Sequence, residues 1–185
     1  MGNVFQEKAT GHETHDIFSW EGLGDIKKGR ENLGEEMPVI VYRLLEFTML
    51  DVLVKEFGEE RAHELFRKAG FMAGEELAKN TMDLTADFDG FVAQLQKTLK
   101  ELRIGILRIE EFDAKTGAMT LTVGEDLDCS GLPSTGEVIC HYDEGFIAGL
   151  LHAYTDNKYH VREVDCWAKG DRVCRFTGHL EAVPV

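Results

Sequence analysis

Tyr159-His-Val-Arg-Glu163-Val-Asp-Cys166-Trp-Ala-Lys-Gly170-Asp171-Arg-Val-Cys174-Arg-Phe176-Thr-Gly-His179 is the stretch on which the reading of this chain turns. β-branched and aromatic residues fill both halves, and Ala168-Lys-Gly-Asp171 between them has turn chemistry. Tyr159 to Trp167 therefore pairs with Arg172 to His179 as an antiparallel hairpin. Seven residues separate Cys166 from Cys174, and Gly170 is their midpoint. A symmetric turn places the two cysteines directly opposite each other on one face, where both sulfurs can meet a single ion.

Immediately upstream, Ser134 and Glu137 have the spacing of a capping box. They predict a helix from there to about Tyr154, with Ile139, Phe146, Ile147, Leu150 and Leu151 on its apolar face. Cys140 falls in the first turn, where a helix N-terminus lowers a thiol pKa. Thiolates are zinc ligands, and zinc takes them in a tetrahedron. Glu163 leads the candidates for a fourth ligand. Strand parity objects, because residues 163 and 166 of a regular strand face opposite sides. A bulge near Val164–Asp165 removes the objection. Asp165, His160, His141 and Cys129 are the alternatives. A set of ordinary small core cysteines, or a redox pair, competes with the metal reading.

Further upstream the pattern predicts a second hairpin, Ile104 to Phe112 with Ala118 to Val123, turning at Asp113-Ala-Lys-Thr-Gly117. Before it come three helical stretches. Val39 to Phe57, opened by Pro38, is apolar almost all round and reads as a buried helix or a dimer-interface helix. Gly58 breaks it. Glu59 to Lys79 is amphipathic, with acidic Glu59 and Glu60 favouring its N-terminal dipole. Asp87 to Leu102 repeats Phe88, Phe91, Val92, Leu95, Leu99 and Leu102 at helical spacing, with Thr85 or Asp87 as its cap. Three helices, a hairpin, a helix and a hairpin make an α+β domain, with helices packed on an antiparallel sheet of hairpins. Residues 1–36, rich in glycine and charge, read as an N-terminal extension, and 37–185 as the single domain. His12 and His15 in the extension read as part of a polar tail.

Composition narrows the function. The chain has 185 residues, 43% of them hydrophobic, and a formal net charge of −14. The acidic balance argues against nucleic acid and against an anionic membrane surface, since both recruit clustered Lys and Arg. Neither a signal-peptide core nor a stretch of ~18 apolar residues is present, so the expectation is a cytoplasmic protein. In that compartment cysteines serve as thiols, metal ligands or redox groups. There is no glycine-rich dinucleotide fingerprint, and no nucleophile–base–acid arrangement stands out.

The segment from Glu163 to Phe176, with its Glu, Cys, Gly-Asp turn and Cys followed by Phe, resembles the C-terminal signature of the 4-vinyl reductase (hydrocarbon-binding) domain family. Cys140-His-Tyr-Asp-Glu-Gly145-Phe-Ile-Ala-Gly149 is similar to the family's preceding helix, with a cysteine at its start and glycines for close packing. The resemblance is specific over about residues 136–180 and architectural before that. It implies a ligand-binding fold shared with vesicle-tethering subunits and like nitric-oxide sensors, usually as a homodimer. In aromatic-responsive sensor members, zinc is held by three cysteines and a glutamate. Carried over by motif, these are Cys140, Glu163, Cys166 and Cys174. The implied function is a stand-alone module that binds an apolar or aromatic small molecule, with Phe91, Leu95, Met119 and Val161 as candidate pocket residues. Any signal would then pass through the dimer or to a separate partner. A protein–protein scaffold and an accessory reductase or carrier in tetrapyrrole metabolism are the alternatives.

Overall fold

Residues 18–181 are described by a computed structural model. They fall into two compact units that divide between Glu35 and Glu36. The first holds a 3-10 turn, Glu21–Leu23, and a single-turn helix, α1 (Ile26–Gly29). Asp25 caps α1, its carboxylate accepting from the Lys28 N–H at 3.0 Å. His12 and His15 lie outside the described residues.

The second unit runs α2 (Val39–Phe57), α3 (Glu59–Thr81), α4 (Phe88–Glu101), β1 (Ile106–Phe112), β2 (Met119–Gly124), α5 (His141–Thr155), β3 (Tyr159–Asp165) and β4 (Cys174–Leu180). Both hairpins form, the last with a longer connection than the expected four-residue symmetric turn: β3 ends at Asp165 and β4 opens at Cys174, with a 3-10 turn, Trp167–Lys169, between them. They join in one antiparallel sheet of order β1-β2-β4-β3, so β4 is an inner strand. Alternation sends Leu121, Val123, Cys174, Phe176, Val161 and Glu163 into the interior. The register of β3 against β4 slips between Glu163 and Asp165, which is the bulge that strand parity required.

α5 is the central helix. It packs on the sheet through one side and on α3 through the other. Its contact with α3 rests on two glycine pairs four residues apart, Gly70 with Gly74 and Gly145 with Gly149, each pair on one stripe of its helix. A Cβ on Gly70 would lie 2.0 Å from the Tyr142 carbonyl oxygen, and one on Gly145 would lie 1.9 Å from that of Arg67. The two backbones touch, and any side chain there would separate them. Glu144 locks the arrangement from α5. It accepts from Arg67 Nε of α3 at 2.5 Å, and from Arg162 Nη1 and the Glu163 N–H of β3 at 3.1 and 2.9 Å.

Two expectations need correcting. The fourth long helix starts at His141, with Cys140 as its N-cap, and residues 125–140 form an irregular loop. The capping box fails because Ser134 Oγ donates to the Ala168 carbonyl at 3.2 Å, as do the N–H groups of Thr135 and Gly136 at 2.7 and 3.1 Å. The loop is thereby tied to the 3-10 turn Trp167–Lys169 of the last hairpin. Secondly, α2 has no buried residue within the chain, so the buried-helix option is set aside. Ile40, Leu44, Leu45 and Phe57 are each at least 58% exposed. Among the described residues no helix is long and apolar enough to cross a membrane.

Candidate metal centre and adjoining cavity

Four cysteines converge where the irregular loop, the start of α5 and the last hairpin meet. Cys129 is placed by a turn in which Asp126 Oδ1 accepts from the N–H groups of Asp128 and Cys129, at 2.9 and 3.2 Å. Cys140 caps α5. The Cys166 carbonyl accepts from the N–H groups of Lys169 and Asp171, while its own N–H donates to Asp171 Oδ2 at 3.1 Å. Gly170 makes this turn possible with φ at 114°. Cys174 opens β4, beside Val123 of β2.

All four thiols are free and at most 1% exposed. Their sulfurs lie within 4.8 Å of one another. Cys140 Sγ is 3.8 Å from both Cys166 Sγ and Cys174 Sγ, and Cys129 Sγ is 3.0 Å from Cys174 Sγ. Zinc–sulfur bonds of about 2.3 Å in a tetrahedron put sulfurs ~3.8 Å apart. The donor set therefore fits zinc, with modest opening of the Cys129–Cys174 edge. Crowding by the sulfurs of Cys129, Cys166 and Cys174 pushes the Cys140 thiol up, while those of Cys129, Cys140 and Cys174 hold Cys166 down.

Glu163 reaches the cluster by a different route from that expected. Its Oε2 accepts from the N–H groups of Cys140 and Ile139 at 3.0 and 3.2 Å, and Oε1 is buried without a hydrogen-bond partner. Burial pushes this carboxyl up to about 8, against the pull of the Cys140 N–H. The bulge thus delivers Glu163 to the end of α5, and Cys129 supplies the fourth sulfur. His141, His160 and Asp165 are engaged away from the thiols. His141 Nδ1 lies 3.1 Å from Arg67 Nη2, the His160 ring lies against that of His179, and Asp165 pairs with Arg175. Asp126-x-x-Cys129, an acid able to turn the backbone onto a cysteine, is the local signal that favours Cys129 among the alternatives for the fourth position.

Beside the thiols lies an apolar cavity between α4, α5 and the β1–β2 face. Phe91 and Leu95 of α4, Leu121 of β2 and Ile147 and Leu150 of α5 form its walls. Its free volume is about 30 Å³, room for one or two waters. Of the candidate pocket residues, Phe91, Leu95 and Met119 line it, whereas Val161 borders a separate surface depression with Gly145 and Ala148. Two acids sit in its wall, Asp126 and Asp143. Asp143 faces inward because it shares a helical stripe with Phe146 and Ile147. Beyond them, Asp128 accepts from Tyr42 OH at 2.8 Å, and Arg43 of α2 donates to the Leu127 and Ser130 carbonyls, both at 2.9 Å.

Residues 119–180 match the V4R domain. The uncharacterized protein MJ1642 of Methanocaldococcus jannaschii is 30% identical over 150 residues, 81% of this chain and 82% of that protein. The chain belongs to the V4R domain family. Solved structures share the fold. The phenol-responsive sensory domain of the transcription activator PoxR, solved with phenol, superposes with a TM-score of 0.61 at 19% identity, over 80% of this chain and 78% of that one. A vinyl-4-reductase family protein from Methanocaldococcus jannaschii gives 0.58 at 18% identity, over 98% and 100%. A trafficking protein particle complex subunit 3 from Naegleria fowleri, covalently bound to palmitic acid, gives 0.57 at 13% identity, over 78% and 98%. The α+β expectation, and its likeness to a vesicle-tethering subunit, hold.

Proposed function

We propose that this V4R protein is a small-molecule binding module in which a structural zinc shapes an apolar ligand site. The carrying observation is that α5 belongs to both places: its N-cap is Cys140, and its next two turns wall the cavity through Asp143, Phe146, Ile147 and Leu150. Zinc would be held by Cys140, Cys166, Cys174 and Cys129, with the Glu163 carboxylate beside them on the Cys140 N–H. A four-thiolate ion supplies cross-linking and no open position for chemistry. Glu163 in place of Cys129, as the family resemblance implies, is the competing ligand set.

The cavity is too small for an aromatic guest as it stands. Binding therefore requires α4 to move from β1 and α5, and the stacked pair Phe91–Tyr154, with ring centroids 4.1 Å apart, is the contact that opens. PoxR's phenol and the palmitate of the trafficking subunit support an apolar or aromatic guest. Thermal unfolding of the purified protein with phenol, toluene or palmitate tests this reading, alongside native mass spectrometry for a co-purified molecule. A rise in midpoint that Leu95→Trp abolishes supports it. No shift with any of them and no co-purified molecule would overturn it in favour of a scaffold.

A homodimer through α2 belongs to the same proposal. Its outward apolar face, with Ile40, Leu44, Leu45 and Met49, is unlike the surface of a monomer. Any signal from the ligand site reaches that face through Tyr42 and Arg43, which bind the loop carrying Cys129.

A further inference from the structure

Asp126 and Asp143 have no structural task that accounts for both. Asp126 is 3% exposed and Asp143 9%. Oδ1 of Asp126 is used by the Cys129 turn, but Oδ2 of Asp143 is buried with no hydrogen-bond partner. Among the described residues neither aspartate forms a salt bridge: Arg67 and Arg162 pair with Glu144, Arg175 with Asp165, Arg103 with Glu36, and Arg43 donates to two carbonyls. Two carboxylates side by side in an apolar wall need either a shared proton or a cation between them. One oxygen from each and the Cys140 sulfur all lie within 4.8 Å of one another. Carboxylate oxygens with a thiolate form a mixed set that suits zinc and neighbouring divalent transition metals.

We propose that Asp126, Asp143 and Cys140 form a second divalent-metal site, with the Cys140 sulfur bridging it to the four-thiol centre. The proposal rests on the reading of the thiol centre through that one sulfur. Three protein donors leave a further coordination position, on the side of the apolar cavity that both aspartates line. A cavity guest carrying a lone-pair oxygen, nitrogen or sulfur would then be anchored at its polar end by this ion.

The test is a zinc count on the intact, reduced chain, loaded with zinc sulfate and freed of excess by gel filtration. Two zinc ions per chain are expected in the wild type and one in Asp143→Asn. The cobalt-substituted protein reports separately on the thiol centre, through its sulfur-to-metal charge-transfer band. That band should persist in Asp143→Asn. X-ray absorption of the two-zinc wild type should show oxygen neighbours and a metal–metal distance, which needs no variant to fold. One zinc per chain in the wild type, unchanged in Asp143→Asn, overturns the second site and leaves a shared proton between the aspartates. No zinc and no cobalt band overturns the thiol centre as well, so the two failures are distinguishable.

Discussion

A Cβ built on Gly74 falls 2.1 Å from the carbonyl oxygen of Phe146, and one on Gly149 falls 2.1 Å from that of Phe71. The relation is reciprocal, so neither helix can carry a side chain at this seam. Because α5 also supplies Cys140, Asp143 and the cavity wall, the spacing of the α3–α5 seam sets the position of every functional group on that helix.

Gly74→Ala and Gly149→Ala should each destabilise the protein by about 3 kcal/mol, since a rigid backbone must give way in a packed interior. At this size that lowers the thermal midpoint by roughly 6–12 °C. Gly29→Ala, whose Cβ would meet nothing within 4 Å, is the control and should be neutral or slightly stabilising. Equal midpoints for all three proteins would disprove the seam.

If the proposed zinc centre forms, Cys129 and Glu163 should contribute to it differently. Glu163→Gln keeps an oxygen to accept from the Cys140 N–H and should weaken zinc by about 10–100-fold, as outer-shell changes do. Cys129→Ser removes a ligand and should weaken it further. Competition against a chromophoric chelator ranks them, and X-ray absorption counts the sulfurs. Three sulfurs and one oxygen in the one-zinc Asp143→Asn protein would hand the fourth position to Glu163. Stripping the metal should unfold the last hairpin first, because structural zinc contributes folding energy directly.

Acid should weaken the fold through Glu144. Burial alone would raise this carboxyl, but hydrogen bonds from His141, the Glu163 N–H and Arg67 outweigh it and bring it to about 2. A depressed folded-state pKa gives stability that is present above the unfolded value, near 4.5, and lost as pH falls towards 2. The full shift corresponds to about 3 kcal/mol. Denaturant midpoints of wild type and Glu144→Gln across pH 2–7 should converge at the acid end. A constant gap would remove Glu144 from the acid response.

Leu45, 65% exposed at the middle of α2, should be covered by a second copy. Leu45→Glu is expected to convert a dimer to a monomer in sedimentation velocity, with zinc content unchanged. A wild type that sediments as a monomer at all concentrations would refute the dimer.

Much of the architecture was legible locally. Alternation and the Gly170 turn predicted the last hairpin, and helical spacing predicted α4 from about Asp87 to Leu102. The start of α5 was misread because Ser134 spends its hydroxyl on Ala168, a partner 34 residues away. The expected bulge at Val164 is present, yet its product differs: Glu163 turns to two backbone N–H groups.

Sequence by itself determined most of the elements, the last hairpin that carries Cys166 and Cys174, and membership of a family, because these follow from neighbours along a strand or helix. Tertiary structure alone decided that Cys129 joins them, that Asp126 and Asp143 face each other beside the cavity, and that α2 keeps its apolar face outward. Those depend on how a 16-residue loop, residues 125–140, is tied down by contacts with α2 and the hairpin turn. No periodicity encodes such contacts, since they are hydrogen bonds between residues far apart in the chain.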